Sequence, residues 1–393
     1  MAVPRPTTSP WWSSRSANKE KSGELKKSIS PSGGRTLVAF PRDGNKSFNP
    51  YTHIVYAALE KYGWFAEDFR EGKTFFHPPD VFHIHWLEPY YAFKNPLESF
   101  FSALKLVILL ERLVSKGTKI VWTMHNLASH EKLQPSIERF LQNFVARKAS
   151  AIVTLSEAGV ELGRKRFPFQ EDKFFALPHP HYRDYYREKM LSRVEARQKL
   201  GLPEKNFIFL FAGQIRPYKG VLELIESFKN LDPAAKGHCL LVVAGKASDA
   251  SYLKEIEAAL GENKDVKNIL FFHRYLEEED LLAFVAASDV GVLPYRDVLN
   301  SGSALLYSSL GIPVVGPKIG ALPEVMDALR EGVLYDPQEK NALRDSLFEA
   351  FERYRVKEVR EEIIDLVEAS FSPDRIGRLH AELYAEIEAP KYC

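Results

Sequence analysis

Three groups of residues in this chain have types and spacings suited to chemistry. The first is Gly213-Gln214-Ile215-Arg216-Pro217-Tyr218-Lys219-Gly220, where an apolar run ends in a glycine and a helical pattern starts after Gly220. Arg216 and Lys219 put two cations in that turn, beside the partial positive charge of a helix N-terminus, which suits a diphosphate. A solvated basic turn would read the same way. The second group is Ser301-Gly302-Ser303, between the apolar run 289–294 and another helix. A glycine there lets backbone N–H groups approach an anion closely. The third group lies in the first half of the chain, at the ends of apolar runs. It comprises Asp43, His83-Ile84-His85-Trp86, and Trp122-Thr123-Met124-His125-Asn126 with His130-Glu131 shortly after. Imidazoles and carboxylates at strand ends suit proton transfer or hydroxyl recognition. His125, Asp43 and Glu131 are the candidates for proton transfer. His85, Trp86 and Asn126 are the candidates for holding a hydroxyl-bearing second substrate. Trp86, Tyr90 and Tyr91 either stack on that substrate or pack under a loop.

The elements that must position these residues alternate. Strand patterns at 37–40, 81–85, 120–124, 151–155 and 174–177 are interleaved with helical spacing at 52–62, 97–115, 134–147 and 158–167. The pattern then restarts. Strands are expected at 207–212, 240–244, 269–273, 290–293, 314–316 and 333–335, with helices at 221–229, 251–260, 278–287 and 303–310. Continuous apolar strands alternating with helices predict parallel sheets covered on both faces, hence an α/β chain of two doubly wound, Rossmann-like units. In such sheets ligands bind where strand C-termini and helix N-termini converge, so a ligand is expected in the cleft between the units. The expected divisions are a disordered tail at 1–34, a first unit at 35–180 and a charged linker at 181–203. A second unit at 204–372 follows, and the helix at 373–393 packs back on the first. Period-two alternation puts His83 and His85 on one strand face, with His83 the more deeply placed. Pro178-His179-Pro180-His181 reads as hinge geometry.

Bulk properties narrow the field. At 393 residues the chain suits two domains, and a net charge of +1 argues against nucleic acid as a partner. Two cysteines, Cys239 in an apolar run and Cys393, cannot make a disulfide framework and fit a reducing compartment. No cluster of Cys and His has metal-ligand spacing. No apolar run approaches the roughly 18–20 residues that span a bilayer, and the N-terminus lacks the apolar core of a signal peptide, so the expected location is the cytoplasm. Two segments could still touch a membrane surface. One is Trp11-Trp12 with Lys19, Lys21, Lys26 and Lys27, which equally reads as a solvated tail. The other is the helix at 100–119, which carries Lys105, Arg112, Lys116 and Lys119 around an apolar pattern that sheet packing would also produce.

With these pieces in order, the chain resembles the nucleotide-sugar glycosyltransferases built from two Rossmann-like domains (the GT-B fold), especially glycosyltransferase family 4. The matching pieces are Gly213…Lys219-Gly220, Val242-Val243-Ala244-Gly245, Tyr275-Leu276-Glu277-Glu278-Glu279-Asp280-Leu281 and Ala287-Ser288-Asp289-Val290. Gly311-Ile312-Pro313-Val314-Val315 and Gly320-Ala321-Leu322-Pro323-Glu324-Val325 follow. The resemblance spans most of 35–390 and is stronger in the second half. It implies sugar transfer from a nucleoside-diphosphate donor to a glycan or lipid-linked acceptor in surface-glycan assembly, with no cofactor and no essential metal. GDP-mannose is the expected donor, and peripheral contact with the inner face of the cell membrane is expected. Gly213, Arg216, Lys219, Ser301, Gly302 and Ser303 would then bind the donor.

Two positions depart from the family pattern. Gln214 stands where an arginine is usual. Val298 and Leu306 stand where the family keeps a pair of glutamates near the donor sugar and ribose, which leaves the stereochemical outcome open. Two rival readings follow: a nucleotide-sugar epimerase on the same architecture, and a non-catalytic partner of another glycosyltransferase.

Overall fold

In the computed structural model, residues 35–44, 46, 49–129, 133–261 and 268–389 are described. The N-terminal tail, His130, Glu131 and Cys393 lie outside them. The first unit holds β1 Thr36–Phe40, β2 Phe65–Asp68, β3 Val81–Ile84, β4 Lys119–Thr123, β5 Ala151–Thr154 and β6 Phe174–Ala176, in the spatial order β2-β1-β3-β4-β5-β6. The second holds β7 Phe207–Ala212, β8 Cys239–Ala244, β9 Ile269–Phe272, β10 Val290–Val292, β11 Val314–Pro317 and β12 Val333–Tyr335, ordered β12-β11-β10-β7-β8-β9. All pairings within both sheets are parallel. The α/β two-sheet expectation holds. Runs such as Phe207-Ile208-Phe209-Leu210-Phe211-Ala212 are buried throughout because helices cover both faces of the sheet. β2 escaped the sequence reading because Phe65-Ala66-Glu67-Asp68 is short, half polar and at the sheet edge.

Two features tie the units together. The last helix, Pro373–Glu388, crosses back onto the first unit and packs against helix Tyr51–Leu59. Ile376, Leu383 and Tyr384 share one buried cluster with Leu37, Val55 and Trp64. The stretch expected as a linker is the second feature, and here the structure corrects the reading. Ser192 and Glu195 form a capping box that starts helix Arg193–Leu200, and this helix packs against Glu278–Ala287 of the second unit.

Arg197 on that helix is 1% exposed. Its guanidinium donates to the carbonyls of Ala287 at 2.9 Å, Pro203 at 3.2 Å and Asn206 at 3.0 Å, and to Asp289 Oδ2 at 2.7 Å. The same Asp289 oxygen accepts from Ile208 N at 2.7 Å, at the start of the central strand β7. An arginine in a charged stretch reads as solvated. Only the fold shows it as the clamp between a helix and the sheet. We expect Arg197→Ala to lower unfolding free energy by about 3–5 kcal/mol, because the carbonyls of Ala287, Pro203, Glu204 and Asn206 lose this donor and Asp289 loses one of its two arginines. Urea denaturation followed by circular dichroism checks this, and a loss under about 1 kcal/mol would refute the clamp.

Candidate active site

In the second sheet the strand order reverses between β7 and β10, so the loops that leave these strands open a crevice. Gly220 closes it from below. A Cβ there would lie 1.9 Å from the Pro294 carbonyl oxygen, so only glycine lets the two loops meet. Arg296 N donates to Tyr218 O at 2.8 Å and joins the same loops. The Lys219 ammonium stands 5.8 Å from the centre of the Tyr295 ring and beside Gly213. The Tyr295 phenol is hydrogen-bonded to the hydroxyls of Ser303 and Ser301. Ser301 caps helix Gly302–Ser309 by accepting from Ala304 N at 3.2 Å. One surface therefore carries Arg216, Lys219 and a helix N-terminus. Burial, and secondarily the Arg216 guanidinium, push the Lys219 ammonium down to about 8. Val298 and Leu306 pack against the second unit's core, so no carboxylate projects from those two positions.

In the first sheet the order reverses between β1 and β3. His85 follows β3 and is almost sealed, at 1% exposed. Its Nε2 lies 2.6 Å from Tyr56 Oη, and its Nδ1 lies 3.3 Å from His125 Nε2. His83 sits deeper, bonded to Tyr384 Oη at 2.6 Å and Thr123 Oγ1 at 2.7 Å. His125 stacks on Trp86, with ring centres 4.4 Å apart and planes 9° from parallel. Burial first, and His179 second, lower His125 to about 3, so it is neutral near pH 7. His85, Trp86, His125 and Asn126 line one small recess of about 20 Å³, closed by Tyr91, Trp122, Glu138 and Gln142.

The two halves meet at a seam that the sequence reading took for a hinge. The Tyr51 ring lies 5.2 Å from that of His125 and 4.6 Å from that of His179. His179 donates from Nδ1 to Pro180 O at 2.7 Å, which leaves Nε2 to accept from Tyr182 Oη at 3.1 Å. That phenol reaches the donor side. A Cβ on Gly302 would lie 2.9 Å from it. Asn300 Nδ2 donates to His125 O at 3.0 Å, and the Glu324 carboxylate accepts from Glu157 N at 2.8 Å and Ala158 N at 2.7 Å across the seam. Leu299 is buried in the first unit's core.

The structure thus gathers Gly213, Arg216, Lys219, Ser301, Gly302 and Ser303 about one crevice. His85, Trp86, His125 and Asn126 gather about an adjoining recess. Three of the predicted residues have specific surroundings. His85 has both ring nitrogens occupied and stands behind His125, not at an open surface. Trp86 has one face covered by that imidazole. Asp43 is not a free carboxylate, since it accepts from Arg42 at 2.6 Å and is bonded to His53 Nδ1 at 2.7 Å. Glu131 lies outside the described residues. Tyr51, Tyr182 and Asn300 had no assigned role, while His179 was read only as part of a hinge and Glu324 only as part of the Gly320–Val325 family piece. Their contacts across the seam join residues distant in sequence.

Among the described residues His181, Asp184 and Glu368 come within metal-ligating distance of one another. The His181 Nδ1 accepts from Arg183 N at 3.1 Å, so Nε2, 2.9 Å from Glu368, carries a proton and not a lone pair. The trio is better suited to an imidazole–carboxylate pair than to a metal.

Two parallel sheets meeting at strand C-termini, with a cation-lined helix N-terminus on one side, form the GT-B architecture. Residues 192–365 match the family "Glycosyl transferases group 1". The chain is a glycosyltransferase of this fold, and that segment is its group 1 domain. The GDP-mannose:glycolipid 4-beta-D-mannosyltransferase of Xanthomonas campestris pv. campestris is 28% identical over 356 residues, covering 89% of this chain and 92% of that protein. The D-inositol 3-phosphate glycosyltransferase of Streptomyces griseus subsp. griseus is 30% identical over 149 residues, covering 36% of this chain and 30% of that protein. HepE from Anabaena, solved with UDP, superposes with a TM-score of 0.66 at 16% identity, covering 90% of this chain and all of that one. The sucrose-phosphate synthase of Thermosynechococcus elongatus also gives 0.66, at 15% identity, covering 90% of this chain and 99% of that one. The structural likenesses carry the fold. The transferase names fit sugar transfer, not the epimerase or silent-partner readings.

The state of Lys219 gives a pH dependence. A bound diphosphate favours the charged ammonium, so nucleotide affinity should be full below pH about 8. Above that it should fall by up to roughly tenfold per pH unit as Lys219 loses its proton in the unliganded protein. Calorimetric titration with GDP from pH 6.5 to 9.5 checks this. A flat profile would remove Lys219 from the phosphate site.

Proposed function

We propose that the chain transfers mannose from GDP-mannose to a glycolipid in the assembly of a surface polysaccharide, without a metal. The carrying observation is the crevice built from Arg216, Lys219 and the N-terminus of helix Gly302–Ser309. These groups neutralise the departing diphosphate where other enzymes place a metal ion. The sequence also contains no Asp-x-Asp to hold one. Neutral His125 and the Asn126 amide receive the acceptor hydroxyl. The donor choice rests on the relative that matches along most of both chains and is named for GDP-mannose and a glycolipid. Lys219→Ala should bind GDP more weakly and lower kcat/KM by at least roughly 30-fold, about 2 kcal/mol, with its melting temperature kept. Calorimetry over GDP, UDP and their sugars identifies the base in the same series. Wild-type-like turnover by the variant, or no response to any nucleotide, would overturn the reading.

A glycolipid acceptor lies at a membrane, and the first unit offers a surface for reaching one. On helix Pro96–Ser115, Leu97, Phe100, Phe101, Leu104 and Ile108 are exposed, with Lys94 and Lys105 beside them. No helix among the described residues is long and apolar enough to cross a membrane. The chain therefore sits on the inner face of the cell membrane as a peripheral cytoplasmic protein, its apolar side chains in the interface and its lysines near anionic headgroups. Replacing Phe100, Phe101 and Leu104 together by serine should weaken binding to vesicles of mixed phosphatidylglycerol and phosphatidylethanolamine by at least roughly tenfold, about 1.4 kcal/mol. Vesicle sedimentation measures this, and unchanged partitioning would sink the docking face.

A further inference from the structure

Asp43 and His53 form a hydrogen-bonded pair at the point where the first sheet reverses its strand order. Asp43 lies in the loop leaving β1, and His53 in the first turn of the helix Tyr51–Leu59 that follows. Loops at such a reversal border the crevice that takes a ligand. Tyr51, on the same turn, meets His125, with ring centres 5.2 Å apart. The His53 ring lies 5.8 Å from that of Tyr185, on the segment crossing to the second unit. Both side chains of the pair stay open, with 25% exposed for His53 and 31% for Asp43.

The pair is held in one orientation. Arg42 N and Asp43 N donate to Asp68 at 2.8 and 3.1 Å, and Thr52 Oγ1 donates to Arg42 O at 2.7 Å, which fixes the loop. The Arg42 guanidinium bridges Asp43 Oδ2 at 2.6 Å and Glu60 Oε1 at 2.9 Å. The other Asp43 oxygen is 2.7 Å from His53 Nδ1. A carboxylate only accepts, so Nδ1 carries the proton and the lone pair of the neutral ring is on Nε2. An acid that orients and backs an imidazole is the arrangement of a general base. The other imidazoles near the crevice are poor bases. Burial lowers His85, and brings His125 to about 3 and His179 to about 4.

We propose that His53 is the general base of the transfer, with Asp43 as its positioning residue. The proposal rests on the sugar-transfer reading. Nε2 takes the proton of the attacking acceptor hydroxyl, while His125 and Asn126 hold the acceptor beside it. The freed oxygen bonds to the anomeric carbon. The bond from that carbon to the diphosphate oxygen breaks, and its electron pair leaves with the diphosphate onto Arg216 and Lys219. Asp43 stabilises the imidazolium until it passes its proton to water. A single displacement inverts the anomeric configuration, and it asks for no carboxylate at Val298 or Leu306.

The test uses the full chain with GDP-mannose, and follows GDP release with octyl glycosides of glucose, galactose and mannose, and with water, as acceptors. Asp43, Arg42, Lys46 and Tyr185 are the charged or titratable groups that face His53, with Glu60, Asp68, Lys189 and Glu278 behind them. We expect wild-type kcat to fall along an acidic limb as the base takes up a proton. His53→Gln should lose that limb and at least roughly 100-fold in kcat, with GDP affinity and melting temperature little changed. Free imidazole should restore at least roughly tenfold of the kcat lost by His53→Ala. A purely structural His53 would move melting temperature or GDP affinity, keep the acidic limb and gain nothing from imidazole. Any of these results overturns the proposal, as does a glycoside product that keeps the donor's anomeric configuration by NMR. If the His53 variants fail to fold, Asp43→Asn decides. A kcat lowered at least roughly tenfold at unchanged GDP affinity supports the pair, and an unchanged kcat overturns it. A wild type that releases no GDP with any acceptor, water included, overturns the transfer reading itself and is thereby told apart from failure of the base.

Discussion

Backbone brought against backbone at the strand ends is the constraint on which the rest of the site depends. Gly220 lies under the Pro294 carbonyl with no room for a Cβ, so the loops leaving β7 and β10 close into one surface. That closure sets Lys219 against Tyr295, Tyr295 against Ser301 and Ser303, and the capped N-terminus of helix Gly302–Ser309 next to two cations. Lys219 is desolvated by burial and, to a lesser degree, repelled by Arg216, which is why its ammonium is weakened. A bound diphosphate would relieve both penalties at once. Binding energy and electrostatic strain are thus two aspects of a single arrangement.

The acceptor side is governed by a different rule, that of satisfied neutral polar groups. His83, His85, His125, Tyr56 and Tyr384 form a buried chain of rings in which nearly every nitrogen and hydroxyl has a partner. Burial holds the imidazoles uncharged, so the chain orients and does not attract ions. Tyr384 comes from the last helix, after the second unit. The returning C-terminus is therefore part of the wall that positions His125, and the two units share more than a linker.

Between these surfaces lies a seam rich in specific contacts. Glu324 caps the helix that starts at Glu157, Asn300 holds the carbonyl of His125, and Tyr182 fills the space that Gly302 leaves open. The neutral His179 ring links the phenols of Tyr51 and Tyr182, one on each side.

Much of this was legible beforehand. Apolar runs alternating with helical periodicity dictated two parallel sheets, because a strand buried on both faces has no polar alternation to show. The turn containing Arg216 and Lys219, and the glycine between Ser301 and Ser303, announced an anion site through local chemistry alone. Tertiary structure decided the remainder. Arg197 reads as a surface charge until helix Arg193–Leu200 carries it under Asp289. Asp43 reads as a free acid until the fold brings His53 and Arg42 to it. Glu138 reads as one more charge on a helix until Ser129 and Tyr91 close a recess over it. Periodicity and turn chemistry depend on neighbours in the chain, so sequence determined the elements and the turns that carry Arg216, Lys219 and Gly302. Burial, pairing and charge state depend on groups far apart in sequence, and only packing could settle which side chains are sealed, which are paired and which remain to meet a sugar.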